Sequence, residues 1–446
     1  MSKLLEHTKK FMEEADIEDR KKKGQYFTKE HLKNKSLKNI VIKDGDQILE
    51  NSCGTGEFID SILKLNSKTN VDAFDIDDKL CNLVKKIYPS VNVRCENWLL
   101  NTSKKKYDKI IGNPPYFEIA KTRCKDMGYE RFLKFCKSKP NIYSFFIAKS
   151  IEQLKDGGEL IYVVPTSMNN GYGFSPLRDF IIENCNIENI IIHSDDDFDA
   201  QQNSMTLHLK KLKNNEVNNG KFIYTNKGIT IFSKDIESIK KKFDGKYSLK
   251  ELGFNVLTGN YVWNQNKKYM SLDTKDTLLI WACNITDSVL KLYPKTSSGN
   301  LKLGISRAFI GPIMEKDKRP VAHQKSQHVS GHSEKRKTIN SRSIVVNRVT
   351  GCGKKAKIRA AIVDVNKPYY TENHVNYIIA TEDAKMSLEE LHEKLISKET
   401  SEILQYISGN TQLSKKELLN LIPIRLDKHI IPWYNINILE EVIWII

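Results

Sequence analysis

The first half of the chain predicts an α/β fold, in which a doubly wound, mostly parallel sheet of seven strands carries helices on both faces. Short β-branched runs alternate with amphipathic stretches from about residue 20 to Leu212. A Gly-x-Gly turn follows the first run, and an acidic residue closes the second. Beyond Lys234 the alternation ends and strand and loop signals dominate. We therefore expect a separate C-terminal α+β domain.

Each element follows from its local pattern. Residues Leu4 to Asp19 predict a polar helix that ends at the basic run 20–23 and Gly24. The predicted strands are Gln47–Glu50, Val71–Asp75, Val91–Arg94, Lys109–Gly112, Glu159–Val164, Asn189–His193 and Met205–Lys210. The predicted helices are Glu57–Leu65, Asp77–Ile87, Ile142–Leu154 and Ser175–Asn184. Because no helix separates the last two strands, we expect them to pair antiparallel.

Length and turn signals predict two domains. A chain of 446 residues exceeds one typical hydrophobic core. The turn-rich stretch from Asn214 to Gly220 interrupts the alternation of strands and helices. We place the boundary near residue 240. The first domain would cover residues 1–240, with an N-terminal helix over 1–22, and the second would cover 241–446.

Composition is that of a basic globular protein. Lys and Arg total 71 against 55 Asp and Glu, a formal net charge of +16. This excess favours a polyanionic partner, because each neutralised phosphate releases counterions; a lysine-rich proteome from an AT-rich genome explains it equally well. The 8 cysteines form no Cys-x-x-Cys pair, which argues against zinc and a disulfide scaffold. With no signal peptide and no membrane-length apolar run, we expect an intracellular protein without a membrane partner.

The first strand–turn–helix unit predicts a ligand-binding site. Gly54 and Gly56 allow the backbone to approach a ligand closely, and the helix that begins at Glu57 offers free N–H groups. Asp75 follows Gly56 at about the 20-residue spacing of an acid that binds ribose hydroxyls. The carboxylate of Glu50 beside the glycines suits a cationic ligand.

These residues favour S-adenosylmethionine over a dinucleotide as the ligand. A dinucleotide-binding motif has a third glycine at the position that Ile59 occupies in this chain. The sulfonium charge of S-adenosylmethionine also fits Glu50. At the end of the third strand, Asn97 offers an amide that could hydrogen-bond the adenine, and Trp98 offers a ring that could stack on it. Taken alone, Trp98 is better interpreted as a residue of the hydrophobic core. A strand–turn–helix without a ligand is the alternative interpretation of the glycine motif.

The most informative motif is Asn113-Pro114-Pro115-Tyr116, directly after the apolar run Tyr107–Gly112, which we expect to form a buried strand. In open α/β sheets, ligands bind at the carboxyl ends of strands. Consecutive prolines lack N–H donors, so their carbonyl groups only accept hydrogen bonds. The loop thus combines a side-chain oxygen, a rigid backbone oxygen and an aromatic face. Such a combination suits a planar exocyclic amine.

In this order, the motifs resemble those of gamma-class S-adenosylmethionine-dependent N6-adenine DNA methyltransferases, of the kind found among type II modification methylases. The resemblance covers roughly residues 20–212. The segment Gly24–Thr28 is similar to the family segment upstream of the glycine motif, whose threonine contacts the cofactor carboxylate. Asn97 replaces the usual Asp, and Asn51 replaces the proline that usually follows the acidic residue of the glycine motif. Residues Asp195–Ser204 resemble the segment with a second base-stacking aromatic.

The resemblance implies a set of site residues. The implied catalytic residues are Asn113, Pro114, Pro115, Tyr116 and Phe198. The implied cofactor-binding residues are Gln25, Tyr26, Thr28, Glu50, Ser52, Gly54, Gly56, Asp75, Ile76, Asn97, Trp98 and Asn113. It also implies S-adenosyl-L-methionine as the methyl donor and no metal.

The implied activity is site-specific methylation of adenine N6 in double-stranded DNA. The adenine would be flipped out of the duplex and held between Tyr116 and Phe198. The Asn113 side-chain oxygen and the Pro114 carbonyl would accept the N6 hydrogens. Residues 241–446 would form the target-recognition domain. Its basic segments Asn260–Lys268, Lys316–Lys337 and Asn347–Lys357 are candidate DNA contacts.

Other activities use the same loop. Protein glutamine methyltransferases carry a small recognition region before the catalytic domain, whereas this chain carries residues 241–446 after it. An RNA adenine methyltransferase is an alternative that stays open, because contacts to phosphates do not distinguish RNA from DNA. A non-catalytic DNA-binding protein is disfavoured by the intact motifs. We expect no nuclease fused to this chain. A partnership with a separate cognate restriction endonuclease stays open. The expected location is the cytoplasm, in association with the nucleoid, or the host cell of a virus.

Overall fold

The computed structural model describes residues 4–18, 20, 24–137, 139–193, 204–226, 228–266, 269–271, 275–286, 288–291, 328–329, 337–350, 356–364, 367–407 and 412–426. The chain divides into two compact units, Met1–Ile236 and Glu237–Ile446. Among the residues described, no helix has both the length and the apolar character needed to span a membrane.

A seven-stranded sheet organises the first unit. Its strands are β1 (Gln47–Glu50), β2 (Asn70–Asp75), β3 (Asn92–Cys95), β4 (Tyr107–Gly112), β5 (Leu154–Pro165), β6 (Cys185–Ile192) and β7 (Ser204–Lys211). Their order across the sheet is β3-β2-β1-β4-β5-β7-β6. Strand β7 pairs antiparallel with both of its neighbours, and the remaining pairs are parallel. The predicted mostly parallel seven-stranded sheet is confirmed, as is the antiparallel pairing of the last two strands.

The strand order reverses between β1 and β4, and this reversal positions the candidate site. From β1 the chain continues outward to β2 and β3 on one side, and β4 pairs with β1 on the other. Since neighbouring parallel strands end at the same edge, the loops that begin at Asn51, Ile76 and Asn113 meet there. A crevice at such a reversal is where open α/β sheets bind their ligands.

The predicted helices on the sheet are present, with bounds that differ by at most one residue. The helices of this unit are α1 (Glu6–Glu14), α2 (Glu30–Leu37), α3 (Glu57–Leu65), α4 (Asp78–Ile87), α5 (Lys121–Asp126), α6 (Ile142–Gln153) and α7 (Ser175–Asn184), and α8 (Ile236–Phe243) crosses the boundary between units. A hairpin of β8 (Ile223–Asn226) and β9 (Ile229–Phe232) completes the unit.

Two helical segments near the N-terminus differ from prediction. The expected single helix Leu4–Asp19 was wrong, because α1 ends at Glu14 and Ala15 is extended, with φ −91° and ψ 137°. Two glutamates and no basic residue occupy the last turn of α1, which opposes the helix dipole. Helix α2 was not predicted, because its buried positions include Lys33 and Ser36 and so lack an apolar periodicity.

The second unit contains both strands and helices. The strands are β10 (Phe254–Thr258), β11 (Met270–Ser271), β12 (Thr277–Ile280), β13 (Ile285–Thr286), β14 (Val289–Leu290), β15 (His328–Val329), β16 (Ser343–Asn347), β17 (Ala360–Val363), β18 (Tyr369–Thr371) and β19 (Val375–Ala380). Two four-stranded sheets have the orders β10-β19-β16-β17, fully antiparallel, and β11-β15-β12-β18, of mixed direction. The helices are α9 (Leu388–Ile396), α10 (Lys398–Ile407) and α11 (Lys415–Leu421). Target recognition by this unit stays a prediction. Most of Lys316–Lys337 and parts of the other two candidate basic segments lie outside the described residues.

Candidate active site

A cavity of about 580 Å³ opens at the carboxyl ends of β1, β2 and β4. Most of the predicted site residues line it: Gln25, Tyr26, Thr28, Glu50, Ser52, Gly54, Asp75, Ile76, Asn97, Trp98, Asn113 and Pro115. Three predicted residues, Gly56, Pro114 and Tyr116, do not line it. The predicted base-stacking residue Phe198 lies outside the described residues.

The glycine turn and Asp75 form one hydrogen-bonded unit. Gly54 and Gly56 have φ of +54° and +85°, in the region that favours glycine. The Gly54 N–H donates to Asp75 Oδ2 at 2.8 Å, and the Asp77 N–H donates to Asp75 Oδ1 at 3.0 Å. A Cβ at Gly56 would lie 2.9 Å from the Tyr88 ring. The spacing of Asp75 from Gly56 predicts an acid that binds ribose, and these contacts join that acid directly to the glycine turn.

Glu50 is a buried carboxyl group at the base of the cavity. Its side chain accepts a hydrogen bond from the Ile59 amide in the first turn of α3, and only 2% of the residue is exposed. Among the described residues, its Oε2 atom has no hydrogen-bond partner. Burial raises the pKa of Glu50 well above its usual value, and the nearby Lys33 ammonium lowers this pKa only in part. A buried acceptor without a partner costs about 1–3 kcal/mol, so a cation in the cavity would find an unused oxygen here.

A buried ion pair supports the glycine turn from behind. The Lys33 ammonium contacts the Glu57 carboxylate and donates to the Glu57 carbonyl at 3.0 Å. The Leu5 N–H donates to Glu57 Oε1 at 3.0 Å, and the hydroxyls of Thr8 and Thr55 lie 2.8 Å apart. Helices α1 and α2 are thereby fastened to the start of α3. Sequence reasoning missed Lys33, because a lone lysine in a polar helix has no distinguishing pattern.

The Asn113 amide is held in a single orientation. Its Nδ2 donates to the Tyr26 carbonyl at 3.1 Å and to Thr28 Oγ1 at 3.2 Å. A carbonyl oxygen only accepts, so the nitrogen must face Tyr26 and Oδ1 must face the other way. The Ser52 hydroxyl also donates to the Asn113 backbone carbonyl at 3.3 Å. Segment Gly24–Thr28 and the Asn-Pro-Pro-Tyr loop therefore form one site.

This close approach requires a glycine at position 24. Gly24 has φ of +67°, and a Cβ there would lie 3.0 Å from the Phe117 ring and 3.1 Å from the Tyr116 amide nitrogen. Next to it, the Gln25 side chain donates to Asp77 Oδ2 at 3.4 Å. A side chain at position 24 would push the two segments apart and break the contacts to Asn113.

The Tyr116 ring points into the protein. Only 7% of the residue is exposed, and its hydroxyl proton is shared between Asn113 Oδ1 and the Val163 carbonyl, which lies 2.6 Å from the hydroxyl oxygen. The ring stacks on Tyr26 at a centroid distance of 6.1 Å and meets Tyr143 edge-on at 6.1 Å. Burial raises the pKa of Tyr116 well above its usual value, so the phenol keeps its proton. The aromatic face predicted to stack on a base is not presented to the cavity in this conformation.

Aromatic residues form the opposite end of the cavity. Trp98 is buried and packs on Phe146 at a centroid distance of 5.4 Å. Lys149 Nζ lies 4.6 Å from the Trp98 ring centroid and donates to the Asn101 carbonyl at 2.6 Å. Burial lowers the pKa of Lys149 to about 8. This end also contains Met127, Tyr129 and Phe146, which sequence reasoning missed and which belong to no recognisable motif. Ile76, 69% exposed, borders the cavity as well.

The region around the cavity is similar to a known protein family. Residues 22–198 match the family model described as Eco57I restriction-modification methylase. This part of the chain is similar to restriction-modification methylases. The resemblance to type II modification methylases is thereby confirmed, while the gamma class and adenine specificity stay predictions.

Curated proteins that are similar to this region include a bacterial enzyme and a viral enzyme. The type II methyltransferase M.HincII of Haemophilus influenzae is 31% identical over 226 residues, 49% of this chain and 43% of that protein. The modification methylase CviBIII of Paramecium bursaria Chlorella virus NC1A is 28% identical over 239 residues, 52% of this chain and 60% of that protein. The chain thus matches only about half of the length of these relatives. A solved class I S-adenosylmethionine-dependent methyltransferase from Listeria monocytogenes has a TM-score of 0.36 at 22% identity, over 42% of this chain and 58% of that chain.

Titratable side chains do not gather into a metal site within the described ranges. No three His, Cys, Asp or Glu residues there are placed to hold a metal ion.

Proposed function

We propose that this protein is a site-specific DNA methyltransferase that transfers a methyl group from S-adenosylmethionine to adenine N6. The observation that carries the proposal is the oriented Asn113 amide, which lines the same cavity as the glycine turn, Asp75 and Glu50. The match to a restriction-modification methylase family over residues 22–198 supports it. A cognate restriction endonuclease, encoded separately, is the proposed partner enzyme.

The cofactor would be bound by charge and by hydrogen bonds. The unpaired Oε2 of Glu50 favours a cationic ligand such as a sulfonium compound. Gly54 and Asp75 would contact the ribose, as in related α/β folds. Thr28 Oγ1 already accepts a hydrogen bond from Asn113, so its own proton is left to donate to the cofactor carboxylate.

Methyl transfer would need no covalent enzyme intermediate. The N6 lone pair would form a bond to the methyl carbon while the C–S bond breaks, and the electron pair of the C–S bond would stay with sulfur. This gives S-adenosylhomocysteine and a methylated, protonated N6, which then loses one proton to solvent. Asn113 Oδ1 and the Pro114 carbonyl would accept the N6 hydrogens and stabilise the positive charge that develops on nitrogen.

Base entry would require Tyr116 to move. The Tyr116 hydroxyl donates a hydrogen bond to Asn113 Oδ1, the same atom that would accept a hydrogen bond from adenine N6. A flipped adenine would therefore displace the hydroxyl, and the released ring could then stack on the base. Stacking on an aromatic side chain contributes about 1–3 kcal/mol per base, which would offset part of the cost of unstacking the adenine in DNA.

An exposed basic segment beside the cavity supports a nucleic-acid substrate. The segment from Phe117 to Ile142 is closed by hydrogen bonds of 3.0 Å from Ile119 N–H to the Pro140 carbonyl and from Ile142 N–H to the Phe117 carbonyl. It carries the exposed cations Lys121, Arg123, Lys125, Arg131, Lys134, Lys137 and Lys139. Arg123 and Lys139 also line the cavity. Cations around a pocket entrance suit the phosphates that flank a flipped base.

A direct test uses purified protein, a tritiated methyl donor and a set of duplexes. We expect label on N6-methyladenine after enzymatic digestion of the DNA, and none with Asn113→Ala. S-adenosylhomocysteine should still bind to that variant, which shows that its fold is intact. Label that appears on RNA adenines or on protein glutamine, and never on DNA, would overturn the proposal in favour of the alternative substrates.

A further inference from the structure

Helix α1 packs against the glycine turn but takes no part in the cavity wall. His7 Nε2 lies 2.9 Å from the Thr55 carbonyl oxygen, and the hydroxyls of Thr8 and Thr55 lie 2.8 Å apart. A carbonyl oxygen only accepts, so the imidazole carries a proton on Nε2 and donates it to Thr55. Both threonines are fully buried, and Thr55 lines the cavity. The helix, which is described over its whole length, contributes no lining residue. Thr55 therefore joins the cavity to the helix behind it.

Aromatic rings extend this support to both glycines of the turn. Phe11 of α1 meets Phe27 edge-on, with centroids 5.9 Å apart, and a Cβ at the first glycine would lie 3.5 Å from the Phe27 ring. His7 meets Tyr88 edge-on, with centroids 6.2 Å apart, and a Cβ at the second glycine would lie 2.9 Å from the Tyr88 ring. The helix thus supports all three residues of the turn, one of them directly and two through a neighbouring ring.

The turn needs such support because of its glycines. Gly54 and Gly56 both have positive φ, and glycine has more backbone freedom than any other residue. Without outside contacts, such a turn samples conformations in which the Gly54 N–H no longer meets Asp75 Oδ2. A ligand that binds only the ordered turn has an apparent affinity reduced by the fraction of molecules in which the turn is ordered. Contacts behind the turn can therefore set the affinity for a ligand that they do not touch.

We propose that helix α1 is a positioning element for the cofactor, and that His7 and Thr8 are the positioning residues that hold the glycine turn through Thr55. The inference rests on the proposed use of S-adenosylmethionine. It implies the reverse effect as well, because coupling between two equilibria is reciprocal. A cofactor bound at the turn stabilises α1 in its packed position.

The test compares variants that differ by one hydrogen bond. Thr8→Val removes the hydroxyl at nearly constant volume, and Thr8→Ser keeps it. His7→Phe removes the Nε2 donor but keeps a ring against Tyr88, and His7→Gln keeps a side-chain N–H donor. By calorimetry, Thr8→Val and His7→Phe should bind S-adenosylhomocysteine about two- to tenfold more weakly than wild type, the effect of losing one net hydrogen bond. Thr8→Ser and His7→Gln should keep most of the affinity. Lys10→Ala, at an exposed position of the same helix, is the control and should bind like wild type.

Two further measurements separate positioning from a general loss of stability. At a temperature where every variant is fully folded, KM for the methyl donor should rise by the same factor in Thr8→Val, with kcat at saturating donor unchanged. The contacts that orient Asn113 come from Tyr26 and Thr28 and do not involve α1. In wild-type protein, saturating S-adenosylhomocysteine should slow hydrogen exchange of the α1 amides at least about twofold. This last measurement needs no variant, so it decides the question even if a substitution prevents folding.

The outcomes separate this inference from the proposed function. If wild-type protein binds S-adenosylhomocysteine, but folded Thr8→Val and His7→Phe bind it equally well, the role assigned to α1 is wrong although the cofactor class stands. Exchange in α1 that is the same with and without the ligand would also overturn it. If wild-type protein does not bind the ligand, the proposed cofactor is wrong and the inference falls with it.

Discussion

Replacing Tyr116 by phenylalanine should strengthen base capture. The substitution removes the hydroxyl that bonds Asn113 Oδ1 and the Val163 carbonyl in the inward conformation, but it keeps an aromatic ring that can stack on adenine. Loss of a hydrogen bond to buried acceptors costs about 1–3 kcal/mol. Because that cost falls on the inward state alone, the equilibrium should shift outward by roughly five- to hundredfold.

The shift can be measured with 2-aminopurine at the target position of a duplex whose methylated site has been mapped by single-molecule sequencing. Fluorescence rises when the base leaves the stack, so titration gives both the flipped fraction and the apparent Kd. Tyr116→Phe should reach half-saturation at lower protein concentration than wild type, whereas Tyr116→Ala should need more protein, because it loses the stacking ring. Tyr107→Phe, which removes a buried hydroxyl outside the cavity, should titrate like wild type.

The reasoning is refuted if Tyr116→Phe weakens capture as much as Tyr116→Ala does. In that case the hydroxyl would be required in the complex, and the inward ring would be a fixed part of the cavity wall.

Further predictions concern the cofactor end, the catalytic amide and the buried ion pair. Because burial raises the pKa of Glu50 and a bound cation favours its ionised form, cofactor affinity should rise with pH up to that raised pKa and level off above it. The Glu50→Gln variant should bind the cofactor more weakly, with an affinity that does not change with pH. This prediction is contradicted if calorimetry finds the same pH dependence of affinity as in wild type. Asn113→Ala should lower methyl transfer by at least about a hundredfold with S-adenosylhomocysteine affinity nearly retained, and near-normal turnover would contradict this. Lys33→Met leaves Glu57 unpaired in the interior and should lower the free energy of unfolding by about 3–5 kcal/mol. Chemical denaturation measures this loss, and the double variant Lys33→Met/Glu57→Gln should regain part of the free energy of unfolding. Equal stability of the single variant and wild type would count against a structural role for the ion pair.

The sheet could be predicted from the sequence because its strands are buried on both sides. The second halves of β4 and β5, residues 110–112 and 160–165, are apolar and buried, which is typical of parallel strands covered by helices. Helix α2 escaped prediction for the opposite reason. Its buried face includes Lys33, which is stable there only because Glu57 lies opposite it. The partner comes from a different helix, so no local pattern could reveal the pair.

The positions of the site residues were predictable, but their orientations were not. Motif order brought Asn113 and the glycine turn to one edge of the sheet, because parallel strands end together. The inward direction of Tyr116 depends on the Val163 carbonyl of a neighbouring strand and on the Tyr26 ring. These contacts are long-range, and Gly24 makes them sterically possible. A sequence motif carries no information on such rotamers.

Asn51 shows how a departure from a family pattern can be absorbed by its surroundings. Its Oδ1 accepts from the Tyr162 hydroxyl at 2.7 Å, and its Nδ2 donates to the Ser150 hydroxyl at 3.1 Å. The side chain is buried, so a polar group here needs both partners. Asn51 therefore ties the end of β1 to β5 and α6, a role that the sequence alone left without explanation.

The contacts of Asn113 couple the two halves of the site. Its Nδ2 is held by Tyr26 and Thr28, from the segment expected to bind the cofactor, while its Oδ1 faces Tyr116 in the segment expected to bind the base. When the Thr28 proton is donated to a cofactor carboxylate, its oxygen becomes a better acceptor for Asn113, since hydrogen bonds in a chain polarise one another. A bound cofactor would then hold the amide more firmly in the one orientation that leaves Oδ1 available to adenine. The same atoms that recognise the methyl donor would in this way prepare the acceptor site.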